Sequence, residues 1–394
     1  MRETLKKYVF RPRWIKYCSQ TLYESLFFCN NMYTITQDEI WKSEGFQLIG
    51  KIREIQQDDG GFDIGYEFNF GKIHKTGWSS APECKMLVAL IEYGNLFGFE
   101  SVSDIIEKGI YWINSNSYQI ENDKWVLPYC PKATSEVMVY NGISFALAPL
   151  AMYYRYVKPD PKIKQIHDGY INYLYDEFEW DNGYWKYSDQ RRTDLNKLQK
   201  LKIDNYHLGQ QLEMHCHSYL SLPNEKNLKI ITNLSRYLIK IYQSDYPNPI
   251  NYLNYINNDK IGVHLWGYSS LINGYLKYFE ISKEPTLIQI SEYIFNWINK
   301  NAWSDDHYLC IYHAISEKND NLFYPRSDAW VINNLSRCYL FSPMDFDIRR
   351  LEGVYHEIKK QDFSGYENHA ATKIGKLLNS KPIQIFLKYF IKNE

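Results

Sequence analysis

The sequence has almost no net charge. Its 45 lysines and arginines stand against 46 acidic residues, a balance of -1. That excludes general nucleic-acid binding, which rests on excess basic groups. No run of about 18 apolar residues occurs, so no membrane-spanning helix is expected. The N-terminal Met1-Arg2-Glu3-Thr4 starts basic but leads into no apolar stretch or cleavage site, so no signal peptide is expected. The seven cysteines are scattered, odd in number and without CxxC spacing. That pattern fits reduced thiols and a cytoplasmic location. No Gly- or Ser-rich linker and no low-complexity tract divides the 394 residues, so one large domain with a substantial core is expected. GxxxxGK[ST], GxGxxG and GxSxG signatures are missing, which argues against nucleotide use and a serine nucleophile. No cofactor and no metal are expected.

Tyrosine is abundant, with 36 residues. Asn, Lys and Ile are abundant with it, the composition of a low-GC genome, so the positions of aromatics carry the argument and their number does not. One phrase returns along the chain. Asp204-Asn205-Tyr206-His207 opens an apolar-periodic stretch from Leu208 to Leu222. Similar openings stand at Trp78-Ser79-Ser80-Ala81-Pro82-Glu83, Tyr140-Asn141-Gly142, Trp266-Gly267-Tyr268 and Ser327-Asp328-Ala329-Trp330. Neighbouring openings lie about 60 residues apart, a fit for a helical hairpin plus loops. Helical spacing of apolar residues runs through Ile105–Asn114, Ile143–Tyr156, Ile163–Tyr175, Leu228–Tyr242, Leu271–Phe279 and Leu287–Trp297. Some of these, such as Leu228–Tyr242, are amphipathic. Others, such as Ile143–Tyr153, are apolar on most faces and must be buried. An inner ring of helices inside an outer ring explains both kinds.

Ile55-Gln56-Gln57-Asp58-Asp59-Gly60-Gly61-Phe62-Asp63, followed by Trp78 and Ala81-Pro82 before a helix, resembles the repeat of the terpenoid-cyclase and protein-prenyltransferase toroid superfamily. Ile203-Asp204-Asn205-Tyr206-His207 resembles the opening of an inner helix in toroid proteins of bacterial surface-polysaccharide clusters. The resemblance spans roughly residues 10–342. It implies an all-α fold: a single α/α toroid of five to six hairpins over residues 1–343, with a C-terminal helical extension over 344–394. The Asp-rich acid motif, the DDxxD metal motif and the zinc set of those enzymes are missing, so the reaction does not carry over.

The Asp204 segment holds the first candidates. At about 100° per residue, Tyr206, Gln210, Glu213 and His217 share a stripe about 60° wide that contains no Lys. An amide, an acid, an imidazole and a phenol together suit a polyhydroxylated substrate, and the acid and imidazole can transfer protons. Asp204, Tyr206, His207, Glu213, His217 and Asp328 are the expected catalytic groups. His215 and His217 point about 160° apart and cannot share one ion. Arg326, at a helix start, suits a carboxylate or phosphate, and Trp330 offers a stacking face. Glu83 is a helix-start carboxylate. Asp58 and Asp59 read as a Gly-Gly turn. Asp63 and Glu67 are expected on a loop over the mouth. Trp78, Tyr140, Asn141, Gln210, Trp266 and Tyr268 are expected to line the cavity.

Residues 369–394 carry five lysines among apolar residues, a pattern for a closing helix pair or for contact with the inner face of a membrane. The expected substrate is an acidic or lipid-linked glycan in bacterial surface-polysaccharide assembly or modification, handled by a lyase, epimerase or hydrolase. An isoprenoid cyclase or transferase is the first alternative, and a non-catalytic glycan-binding or scaffold protein the second.

Overall fold

The computed structural model describes residues 17–65, 68–70, 72–74, 78–133, 136–189, 191, 203–245, 253–254, 263–312 and 323–364. Twelve α-helices lie among them. In chain order they are α1 (Ser19–Thr36), α2 (Glu39–Ile55), α3 (Lys85–Phe97), α4 (Ser103–Asn116), α5 (Tyr140–Tyr156), α6 (Pro161–Asp176), α7 (Asn205–Ser221), α8 (Glu225–Asp245), α9 (Leu265–Ser282), α10 (Pro285–Asn301), α11 (Pro325–Phe341) and α12 (Arg349–Lys360). They form six hairpins. The odd-numbered helices make the inner ring, each packed on the next, and α11 returns to pack on α1. The even-numbered helices lie outside.

Burial separates the two rings as the sequence pattern predicts. Every residue of α5 from Tyr140 to Tyr153 is buried, whereas α10 buries mainly Leu287, Ile290, Ile294, Phe295 and Ile298 on one face. Local chemistry sets several boundaries. Asp38 caps α2 by accepting from the Ile40 amide. In Lys158-Pro159-Asp160-Pro161, Asp160 accepts from the Lys162 and Ile163 amides and Pro161 occupies the first turn of α6. The first inner helix has no repeat phrase ahead of it, and its mixture of apolar and polar residues shows little periodicity because nearly all of it is enclosed.

The inner helices run parallel. Gln210 meets Ser270 and Glu213 meets Asn273, so partners advance together along α7 and α9. Short links at 37–38, 98–102, 157–160, 222–224, 283–284 and 342–348 close one end of the toroid. The longer connections run from the ends of the outer helices to the starts of the inner helices, and their described parts, such as 56–65, 117–133, 177–189 and 302–312, lie at the other end. Ile203–Asp204 pairs antiparallel with Leu253–Asn254, and Val263–His264 pairs with Ile311–Tyr312, so successive long connections are stitched together. Strands among the described residues occur only as such two-stranded ribbons.

Two glycine sites allow close approach. Gly274 faces Gly209 across α7 and α9, and a Cβ on Gly274 would lie 2.6 Å from the Gly209 carbonyl oxygen. Gly60 takes φ +92° in the Asp58-Asp59-Gly60-Gly61 turn, and a Cβ there would lie 2.1 Å from the Lys108 carbonyl oxygen. Asp59 closes that turn by accepting from the Gly61 amide and pairs with Lys132 at 2.9 Å.

From the 344–394 stretch, α12 packs on the toroid as the outer arm of the sixth hairpin. Tyr355 stacks on Phe28 of α1, meets Trp41 of α2 edge-on, and donates to Glu44 at 2.9 Å. The lysine-rich tail at 369–394 lies outside the described residues.

Candidate active site at the mouth of the inner ring

The starts of α5, α7, α9 and α11, and of the 3-10 turn Ala81–Cys84 that leads into α3, sit at the end where the long connections gather. An arc of side chains crosses it. His207, in the first turn of α7, lies against the Tyr187 ring at 5.4 Å. Trp266, in the first turn of α9, stacks on Trp330 of α11 with centroids 5.0 Å apart and planes 24° apart. One turn before Trp330, Arg326 lies half-buried, donates to Gln20 of α1 at 3.4 Å and covers the Tyr324 ring at 5.2 Å. Arg326 and Trp330 share a helix face because they are four residues apart.

Below the aromatic pair, the inner faces are polar. Gln210 Oε1, Asn273 Oδ1, Asn334 Oδ1, Asn141 Oδ1 and Trp330 Nε1 are buried without a hydrogen-bond partner among the described residues. Buried polar atoms are normally paired. Unpaired atoms on four successive inner helices leave hydrogen-bonding capacity inside the ring.

The axis itself carries an ion cluster. Lys85 of α3 is 1% exposed and lies 3.1 Å from Glu24 of α1 and 3.2 Å from Glu213 of α7. Glu24 also accepts from Asn333, and Glu213 from Asn273 at 3.3 Å. Burial pushes the Glu24 carboxyl up to about 7, against the pull of Lys85. Burial alone would lower Lys85, but the two carboxylates outweigh it and hold the ammonium above its ordinary value. Deeper still, His217 lies 3.8 Å from Glu92 of α3. Burial, with Lys277, Arg337 and Lys85 adding to it, holds the His217 imidazole well below its ordinary value and therefore neutral. Its neighbour His215 faces the other way, to Asn227 of α8 at 2.6 Å and Ser144 of α5 at 3.2 Å.

The structure thus gathers Gln210, Glu213 and His217 along the axis and sets His207, Trp266, Arg326 and Trp330 around the mouth. The backbone of Asp204 and Tyr206 places both at the start of α7, while their side chains and all of Glu67 lie outside the described residues. Trp78 is half-buried just ahead of the 3-10 turn. Asp63, half-buried, accepts from the Gly65 amide at 2.9 Å, closing a tight turn.

Three expected lining or catalytic residues are turned elsewhere. The Tyr140 hydroxyl donates to Glu177 at 3.0 Å in a cluster with Tyr173, Asp189 and Arg191, so its ring faces α6. Tyr268 meets Trp297 of α10 edge-on. Asp328 accepts from the Tyr308 and Tyr324 amides at 2.9 and 3.2 Å and fixes the connection ahead of α11. Burial pushes its carboxyl up to about 7. The reason is angular: residues two apart on a helix differ by about 200°. With Trp266 and Trp330 turned to the axis, Tyr268 and Asp328 must face outward.

Glu83 is fully buried in a capping box. It accepts from the Ser80 amide at 3.2 Å, from the Ser80 hydroxyl, and from Ser19 of α1 at 3.3 Å. Burial pushes its carboxyl up to about 7. A folded-state value raised from 4.5 gives stability that is present below that pH and lost as pH rises through about 7. Glu83→Gln removes this titration. Between pH 5 and pH 8 the variant should therefore lose about 2–4 °C less in melting temperature than the wild type. An identical loss in both would show that Glu83 does not titrate in this range.

Sequence reasoning passed over Glu24, Lys85 and Tyr187. Glu24 had a signal: it is a lone charge within a largely uncharged stretch, and such a charge is either exposed or paired in the interior.

No protein-family model matches the sequence, and no curated protein sequence does. Solved structures do match. A GH76 α-mannanase from Bacteroides thetaiotaomicron superposes with a TM-score of 0.65 at 9% identity, over 82% of this chain and 86% of that one. A sugar epimerase from a ruminal bacterium gives a TM-score of 0.61 at 10% identity, over 84% and 90%. Cellobiose 2-epimerase from Bacillus thermoamylovorans gives 0.59 at 12% identity, over 81% and 87%. The chain has the all-α, six-hairpin toroid fold found in these carbohydrate-active glycosidases and epimerases.

Proposed function

We propose that this protein is a carbohydrate-active enzyme that takes an acidic or lipid-linked glycan into the mouth of its inner ring, in the assembly or modification of a bacterial surface polysaccharide. One observation carries the reading: the Trp266–Trp330 stack beside Arg326, set above buried amides whose side-chain oxygens lack a partner among the described residues. Aromatic faces suit the apolar faces of sugar rings. Amides suit hydroxyls, and the Arg326 fork at a helix start suits a carboxylate.

Proton transfer at the carbon beside that carboxylate is the chemistry best supported. His207 is the general base, with the Tyr187 ring fixing its side chain, and Arg326 neutralises the charge that develops on the uronate. Such a step leads to epimerisation or to elimination. Hydrolysis needs two carboxylates facing each other across the bond. Glu83, Glu213 and Asp328 are each held by other groups, which favours the lyase or epimerase reading. An isoprenoid cyclase would be served by a dry, aromatic-walled cavity, and the amide- and charge-lined axis favours a sugar instead.

The test is calorimetric titration with glucuronate and with glucose. Arg326→Ala should weaken glucuronate binding by about 1.5–3 kcal/mol, the range for a charge-assisted hydrogen bond, and leave glucose little affected. Equal losses for both sugars would reject an anionic substrate.

A further inference from the structure

The opposite end of the toroid, where the inner helices finish, holds a cavity of about 330 Å³. That is the low end of the range for small-molecule sites. Its walls include Asn30 and Asn31 of α1, Glu92 and Asn95 of α3, and Arg337 and Phe341 of α11. We propose that this cavity is a second ligand site, for a neutral mono- or disaccharide, separate from the site at the mouth.

Three observations lead there. First, the open surface of the lining is mainly apolar and includes the Phe341 ring, an aromatic face for a sugar ring, with side-chain amides, a carboxylate and a guanidinium set among it. Asn30 is 3% exposed, and its Oδ1 has no hydrogen-bond partner among the described residues. Second, the charges are matched. Two cations, Lys277 and Arg337, stand against two acids: Glu280 pairs with Lys277 at 2.9 Å and with Arg337 at 3.5 Å, and Glu92 lies beside the neutral His217 at 3.8 Å. Third, helix C-termini present carbonyl oxygens and the negative end of the helix dipole, which favour hydroxyl donors over anions. The mouth has the opposite polarity. A neutral polyol at one end and an acidic sugar at the other follow from that difference.

The site touches the axial cluster. Asn31 donates to Asn333 Oδ1 at 3.1 Å, and Asn333 donates to Glu24. Substituting Asn31 would therefore disturb the core, whereas Asn95 is exposed on the rim. Asn95→Trp fills the cavity without touching the cluster.

The experiment titrates the full chain with cellobiose, maltose and glucuronate, and records melting temperatures alongside. Cellobiose or maltose should bind the wild type at millimolar concentration. Asn95→Trp, with an unchanged melting temperature, should weaken that binding by about tenfold or more, a loss of about 1.4 kcal/mol or more. Glucuronate binding should be unaffected by Asn95→Trp and weakened by Arg326→Ala. Binding of neither disaccharide to the folded wild type would overturn the proposal. So would disaccharide binding that survives Asn95→Trp and is lost in Trp266→Ala, which assigns the sugar to the mouth. The glucuronate arm reports on the mouth alone, so the two sites can fail independently.

Discussion

Replacing Lys85 by methionine should destabilise the protein by about 3–5 kcal/mol, the cost of leaving buried charges without their partner. Methionine matches the lysine stem in length and flexibility, so packing is nearly kept and the electrostatic loss is isolated. Glu24 and Glu213 would then face each other inside the ring with no cation between them. The only relief is protonation. With Lys85 gone, the Glu24 carboxyl loses the cation that pulls it down, and a raised folded-state value gives stability that is recovered on acidification. Denaturant unfolding at pH 5 and pH 8 should therefore show a much smaller deficit at pH 5. A loss under 1 kcal/mol at both values would mean that the three charges do not act as one cluster. The cluster spans α1, α3 and α7, so its loss should also loosen the ring that positions Gln210 and Asn273.

The second large effect belongs to the Asp-Gly-Gly turn. Gly60→Val places a branched side chain at φ +92°, a region L-residues rarely adopt. Its Cβ would also meet the Lys108 carbonyl oxygen at 2.1 Å, and backbone cannot move aside as a flexible side chain can. Strain and overpacking together should cost about 3 kcal/mol or more. The neighbouring Gly50 serves as a control. It lies inside α2 with no atom within 4 Å of an added Cβ, so Gly50→Ala should be neutral or stabilising by up to about 1 kcal/mol. Equal effects at the two glycines would contradict the close approach of the turn to α4.

These two sites differ in how far the sequence reveals them. Gly60 lies in a phrase that is readable as a turn, and its Asp59 and Gly60 do what turn chemistry predicts. The ring was readable too, because five of the six inner helices follow a phrase with an aromatic and a polar residue. α1 has no such phrase, and its partners lie on helices far away in the chain: Asn31 bonds Asn333 across 302 residues. No local pattern reports a contact of that range. The stripe of Gln210, Glu213 and His217 was readable as one face of a helix, since spacing alone defines it. That the face points at Lys85 was not, because only ring closure turns α3 and α7, with α5 between them, toward a common axis. Tyr140 and Tyr268 show a finer limit. Repeat phrases locate a helix start to within a residue or two, and a two-residue offset turns a side chain from the axis to the outer ring.

A sugar carboxylate held at the mouth of the inner ring is the centre of the proposed function. The most direct measurement is a crystal structure of the protein with bound glucuronate. The sugar ring should lie against the Trp266–Trp330 pair, with its carboxylate within hydrogen-bonding distance of Arg326 and its hydroxyls on Gln210, Asn273 or Asn334. Glucuronate bound on the outer helices, or seated in the mouth with its carboxylate turned away from Arg326, would contradict it.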